Sequence, residues 1–130
     1  MPPGFQEIGH AGGFSFSFGR VGLNLAAKKM GFFVAPRHLN PVSVCHGGAI
    51  STFADMQILA ITGDADLLTR HTPTISLSVD YLAPAALGSW VEAQVTLLKS
   101  TRHMIFTQAL IFADAQLVAR SQAIYRNVRQ

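Results

Sequence analysis

The stretch VCHGGAISTFADMQILAI, residues 44–61, decides the fold. Its apolar side chains recur at three- and four-residue spacing, which places them on one face of a helix. These residues are Ile50, Phe53, Ala54, Ile58 and Ile61. Ala49, Leu59 and Ala60 widen that face. The spacing predicts one long, mostly buried helix over residues 46–62, which Gly63 ends.

One carboxylate interrupts this apolar run. Asp55 stands in its middle, although the chain has only 7 acidic residues. A mostly buried helix tolerates an ionised carboxylate poorly unless that group is hydrogen-bonded or functional. We therefore expect Asp55 to be partly buried and to act as a base. The alternative is an ordinary surface aspartate on a half-buried helix.

Four stretches after the helix alternate apolar and polar residues with period two, the pattern of half-buried strands. They are TISLSVDY (74–81), WVEAQVTLL (90–98), MIFTQALIF (104–112) and LVARSQAIYR (117–126). Short turns between them favour an antiparallel meander. We predict a single α+β domain over residues 1–130, with an antiparallel sheet curled around one long central helix.

The N-terminal third is less regular. Residues 1–13 are rich in Gly and Pro and predict an irregular arm, whereas FSFSF at 14–18 alternates and predicts a strand or an edge segment. Residues 20–36 predict two short strands around a turn at KKMG, 28–31. Loops are predicted at 37–44 and 63–71.

Composition excludes several classes of protein. The chain is 49% apolar and only 13% charged, and so few charges suggest that part of the surface is buried in an oligomer. The net charge of +3 comes without the dense basic runs of nucleic-acid binders. No apolar stretch reaches the ~18 residues of a membrane helix, and the start resembles no signal peptide, so we expect a cytoplasmic protein. Cys45 stands alone, and no Cys/His spacing predicts a metal site.

The segment NPVSVCHGGAISTFAD, residues 40–55, resembles the signature of the hotdog-fold acyl-CoA thioesterases of the phenylacetate-pathway (PaaI-like) type, within the 4-hydroxybenzoyl-CoA thioesterase superfamily. The positions that match are Asn40, His46, Gly47, Gly48 and Asp55. Residues 78–95 and 117–126 resemble later strands of that family. Ser43 departs from the pattern, because many relatives have Gly there.

This resemblance implies a hotdog fold and the hydrolysis of an acyl-CoA to free acid and CoA, without a metal or redox cofactor. It also implies a site shared between two subunits, in a homodimer or homotetramer. Helix geometry points the same way, because the eight residues from Gly47 to Asp55 span about 12 Å along a helix axis. One acyl carbon must lie within roughly 3.5 Å of its attacking group, so a single chain is not expected to supply both.

Thioester hydrolysis needs donors for an oxyanion. The first amides of a helix are unpaired, with the positive end of the helix dipole behind them. We therefore expect the Gly47 N–H as a donor, with Gly48 as a further contact to the substrate, unless both glycines serve only close packing. The resemblance implies that the Asn40 amide is a second donor; a turn residue is the alternative.

The remaining site residues are expected to position the attacking water and to accept its proton. Asp55 is expected to activate water, although a covalent anhydride stays open. For His46 we favour an orienting or capping role over proton transfer. The resemblance implies that the Thr74 hydroxyl places the water. Contacts to CoA are expected from basic residues on late strands and turns: Arg102, His103 and Arg120.

Other hypotheses stay open. A regulatory module could bind acyl thioesters without hydrolysing them, since a fold does not establish a function. Hydratase chemistry is a further possibility, although its motif is missing. Catalysis by Cys45 with His46 lacks an orienting acid. An acyl pocket could include Phe53, Met56 and Leu59, but residues on such a helix face usually form the core.

Overall fold

The computed structural model of the chain describes residues 1–8, 13–63 and 72–127. The strands are β1 Gln6–Glu7, β2 Gly22–Asn24, β3 Lys29–Phe33, β4 Thr74–Tyr81, β5 Trp90–Ser100, β6 Met104–Ala113 and β7 Gln116–Arg126. The helices are α1 Gly13–Phe18, α2 Gly47–Ala54 and α3 Gln57–Thr62, with a 3-10 turn at Pro36–His38. None of these helices has the length and apolar character needed to cross a membrane.

All seven described strands form one antiparallel sheet in the order β1-β2-β3-β5-β6-β7-β4. The four predicted C-terminal strands are present, but they do not form a simple meander. β4 pairs with β7 and lies at the edge of the sheet, whereas β5 pairs with β3 and β6. Residues 82–89 therefore carry the chain from the edge of the sheet to its middle.

The core lies between the inner face of the sheet and the two consecutive helices α2 and α3. The most deeply buried apolar side chains are Met30, Phe32, Phe53, Val91 and Ile111. Burying an apolar side chain of this size contributes about 1.5–3 kcal/mol, so this layer holds the helices on the sheet. The predicted α+β class, with an antiparallel sheet packed against a central helix, is confirmed.

The prediction of one continuous helix is wrong at its centre. α2 ends at Ala54 and α3 begins at Gln57, so Asp55 and Met56 form a break. The Leu59 N–H bonds to the Met56 carbonyl rather than to that of Asp55, as it would in an unbroken helix. The expected end is confirmed, because Gly63 has φ 81° and its N–H bonds to the Leu59 carbonyl.

The N-terminal predictions need three corrections. FSFSF lies in α1 instead of a strand; of its side chains only that of Phe18 is buried, and none of the described strands pairs with it. The arm is not wholly irregular, since β1 pairs with β2. The turn between β2 and β3 covers residues 25–28, where Lys28 has φ 54° and the Asn24 side chain accepts the Ala27 N–H. Most of the predicted loop at 63–71 lies outside the described residues.

Candidate functional site

The start of α2 is capped by His46. Its Nδ1 accepts the Gly48 N–H at 2.7 Å, and its own N–H bonds to the His38 carbonyl. Because Nδ1 is the acceptor, the neutral ring carries its proton on Nε2. Capping was one of the orienting roles expected for this residue. Among the hydrogen bonds of the described residues, the Gly47 N–H has no acceptor.

The two glycines differ in what the fold requires of them. A Cβ on Gly48 would lie 2.9 Å from the His46 Nδ1, so the cap itself excludes a side chain there. A Cβ on Gly47 would meet the Tyr81 ring at 3.4 Å, an ordinary contact. Close packing thus accounts for Gly48, whose N–H is already occupied. It does not account for Gly47, whose N–H is available to a ligand.

Asn40 shapes the loop that leads into the helix. Its Oδ1 accepts the N–H groups of Val42 and Val44, both at 3.1 Å, and Ser43 between them has φ 65°. This is the turn role given as an alternative. It uses only the acceptor oxygen, and within the part of the chain described the amide nitrogen has no partner. The donor group of Asn40 therefore stays available.

Asp55 lies at the break between α2 and α3 and points to the edge strand β4. The Thr74 hydroxyl donates to its Oδ1 at 2.6 Å. The expected partial burial of Asp55 is absent in the single chain, where the residue is exposed. Asp55 is the C-terminal cap of α2, directly after the core residues Phe53 and Ala54.

Tyr81, at the far end of β4, is a site residue that sequence reasoning missed. Its hydroxyl donates to the Gly47 carbonyl at 2.9 Å and is also hydrogen-bonded to the Ser51 hydroxyl. α2 and β4 therefore lie side by side in opposite directions, with Tyr81 on Gly47 and Thr74 on Asp55. The only signal in the sequence was that Tyr81 ends the alternating strand pattern.

The basic residues expected at CoA lie at two places. Arg102 and His103 are exposed in the turn between β5 and β6, and the His103 carbonyl accepts the Asn127 N–H at the end of β7. Arg120 is exposed and pairs with Asp80 at 2.8 Å. The structure does not bring Arg120 together with the other two. An exposed pair of this kind contributes about 0–1 kcal/mol, so Arg120 is not tied strongly to Asp80.

The suggested acyl-pocket residues belong to the core. Phe53 and Leu59 are buried, and Met56 is half-buried against the same cluster. Two open cavities flank the start of α2 instead. One, of about 360 Å³, has Phe14, Leu39 and Thr52 in its wall. The other, of about 380 Å³, has Gly47, Tyr81, Pro84 and Val118 in its wall.

Cys45 lies directly before the cap of α2. Cys45 is buried, and burial raises the pKa of its thiol to about 11, so the reactive thiolate is disfavoured. Over residues 1–8, 13–63 and 72–127, no group of three or more His, Cys, Asp or Glu side chains could hold a metal ion.

The fold and these residues define an α+β protein of the hotdog class. The chain belongs to the thioesterase superfamily, whose family model matches residues 43–119. Among solved structures, it is similar to a variant of the phenylacetic acid degradation protein PaaI from Thermus thermophilus, with a TM-score of 0.67, 18% identity, and coverage of 96% of this chain and 94% of that one.

Two further comparisons involve bacterial proteins. Protein smu.793 from Streptococcus mutans UA159, solved bound to acetyl CoA, has a TM-score of 0.69 at 17% identity, with 97% of this chain and 90% of that one covered. The curated Pseudomonas aeruginosa protein named "Putative esterase PA0474" is 29% identical over 93 residues, 68% of this chain. The match spans 66% of that relative, slightly less than two thirds of its length.

Proposed function

We propose that this protein is an acyl-CoA thioesterase that hydrolyses a small or medium acyl-CoA to free acid and CoA. Membership of the thioesterase superfamily supports the reaction class. The acetyl CoA bound by the Streptococcus mutans neighbour supports the substrate class. The observation that carries the proposal is the arrangement along α2, with an available Gly47 N–H at one end and the Asp55–Thr74 pair at the other.

In the proposed reaction, Asp55 takes a proton from water as the water oxygen attacks the thioester carbonyl carbon. The Thr74 hydroxyl occupies Oδ1 and leaves Oδ2 for the water. The Gly47 N–H and the Asn40 amide stabilise the oxyanion. The carbon–sulfur bond then breaks, and protonated Asp55 returns its proton to the CoA thiolate.

A single protomer does not bring these groups together, because eight helical residues span about 12 Å. The edge strand β4 offers a solution. Its partner is β7 on one side only, and Ile75 and Tyr81 on it are 51% and 55% exposed. A sheet edge of this kind pairs readily with another strand. We propose that β4 pairs antiparallel with β4 of a second copy.

The register of this pairing follows from the site. If the two-fold axis passes through Ser78, Ile75 of one copy faces Tyr81 of the other, and Thr74 lies next to that pair. Thr74 holds Asp55, and Tyr81 holds the Gly47 peptide. The pairing therefore brings the acid of one protomer to the oxyanion donor of its partner. It would also cover Asp55, which the single chain leaves exposed.

The experiment is a thiol-release assay on a panel of aromatic, short and medium acyl-CoAs, with the parent and Asp55→Asn. We expect the parent to release CoA, and the isosteric variant to lose at least about a hundredfold in kcat, the contribution of a general base. Circular dichroism and sedimentation should report an unchanged folded assembly. Parental turnover by Asp55→Asn contradicts the mechanism, and binding without thiol release by the parent favours the regulatory module.

A further inference from the structure

The break in the central helix is closed by a residue from the last strand. Tyr125 on β7 is 1% exposed, and its hydroxyl donates to the Asp55 carbonyl at 2.7 Å. In a continuous helix that carbonyl would accept the Leu59 N–H, which here bonds to Met56 instead. The phenol therefore replaces the helical hydrogen bond that the break removes.

A second buried cluster fixes the start of α3 independently. Gln57 is 0% exposed, and its amide donates to the Ser121 hydroxyl and accepts from the Thr107 hydroxyl, both at 2.8 Å. Ser121 in turn donates to the Ser78 carbonyl. Since the oxygen and the nitrogen of the Gln57 side chain each have a partner on the sheet, α3 is anchored without the help of Tyr125.

The fold keeps the Tyr125 phenol in its protonated, donating form. Burial raises the pKa of Tyr125, and the nearby Asp55 raises it further. The backbone amides of Ile58 and Gln57 act in the opposite direction but do not reverse the shift. The hydrogen bond from Tyr125 to the Asp55 carbonyl is therefore not lost through ionisation of the phenol.

We propose that Tyr125 is a positioning residue that holds the Asp55 peptide so that its carboxylate faces Thr74 and the edge of β4. The argument rests on the proposed function of Asp55. The Asp55 side chain is exposed, and its one hydrogen bond within the part of the chain that the structure describes is to Thr74. The helix α2 holds the N–H side of Asp55 through the Ser51 carbonyl, whereas the carbonyl side has lost its helical partner and is held by Tyr125. The direction of the carboxylate therefore depends on the contact from Tyr125.

The variant Tyr125→Phe tests this role, because it removes one hydroxyl and keeps the ring in the core. Because the loss of the hydroxyl displaces the Asp55 carboxylate slightly, kcat should fall by about tenfold to a hundredfold. KM should stay within about twofold of the parental value, because the change does not touch the substrate. Thr107→Val is the matched control. It removes a buried hydroxyl from the neighbouring strand, acts on Gln57 rather than on Asp55, and should keep the parental kcat while lowering the melting temperature.

A second readout does not depend on turnover. The carbonyl ¹³C resonance of Asp55 should shift in Tyr125→Phe and stay in place in Thr107→Val, because only the first loses a donor to that oxygen. If the parent protein hydrolyses no acyl-CoA, the proposed function is wrong. The Asp55 resonance would still show whether Tyr125 donates to the Asp55 carbonyl. A parental kcat in Tyr125→Phe despite the shifted resonance overturns the positioning role alone. An equal loss of kcat in both variants also overturns it, since general loosening would then suffice.

Discussion

The Thr74 hydroxyl donates to the Asp55 carboxylate at 2.6 Å and so joins the edge strand β4 to the break in the central helix. The contact occupies one carboxylate oxygen and leaves the second without a protein donor among the described residues. Both side chains are exposed in the single chain. An arrangement of this kind contributes little to the stability of one protomer, but it orients the carboxylate toward whatever lies beside β4.

Replacing Thr74 by Val should therefore affect activity more than stability. Valine keeps the β-branched shape but lacks the donor, so the carboxylate loses its fixed direction. We expect kcat to fall about tenfold or more, with a change in unfolding free energy within about 0.5 kcal/mol, as for most exposed positions. Thr74→Ser keeps a hydroxyl and should keep most of the activity. Equal rates for the Val and Ser variants would contradict the role of the hydroxyl.

Gly47 offers a test that removes one N–H and little else. Gly47 is the first residue of α2, the position where proline is best tolerated, and His46 before it has φ −62° and ψ 138°, which proline allows. Gly47→Pro should lower kcat by about 10²–10³, the cost of losing one oxyanion donor. Gly47→Ala keeps the N–H and should fold and turn over with a smaller loss. A Pro variant as active as the Ala variant would exclude this N–H as the donor.

His38 makes stability depend on pH. It is buried, its Nδ1 accepts the Ala35 N–H at 2.9 Å, and its Nε2 donates to the Phe18 carbonyl at 2.6 Å. Burial lowers its pKa below 6.5, and the charge of Arg37 lowers it further, against the effect of the Phe18 carbonyl. Proton uptake would cost the Ala35 hydrogen bond, because a protonated Nδ1 is no longer an acceptor.

The sign of this effect follows from proton binding. Below 6.5 the unfolded chain takes up the His38 proton before the folded chain does, so stability is present above that pH and is lost as the pH falls toward the lowered folded pKa. We expect the melting temperature to drop more between pH 7 and 5 in the parent than in His38→Asn, whose Oδ1 can accept the Ala35 N–H. Parallel curves for the two proteins would contradict this assignment.

Local patterns predicted the strands well but not the details of the helix. The alternation of 74–81 gives β4 at Thr74–Tyr81, because one face of the strand packs on the core. The helical break was not predictable, since Asp55, Met56 and Gln57 fit a continuous helix by spacing. The hydrogen bond that replaces the missing helical one comes from Tyr125, which lies 70 residues further along the chain. FSFSF was misassigned because alternation indicates a strand only where a neighbouring strand can pair.

The site residues show a similar limit. The family resemblance singled out Asn40, His46, Gly47 and Asp55, and the Gly47 N–H was expected as the donor. That the Gly48 N–H is already occupied could not be predicted, because it depends on where the His46 ring lies. Tyr81 was missed because its contact with Gly47 spans 34 residues and depends on the reach of a long side chain. The roles proposed for these residues stay predictions until the variants are measured.

The central claim is that Gly47 of one protomer and Asp55 of another form one site, and mixing two inactive variants tests it most directly. Gly47→Pro and Asp55→Asn would be coexpressed with different tags, and the mixed dimer isolated through both. A shared site leaves one intact pair per mixed dimer, so we predict about half of the parental rate per dimer. If the purified mixed dimer is as inactive as Gly47→Pro and Asp55→Asn are on their own, each site lies within one chain. That result would contradict the account.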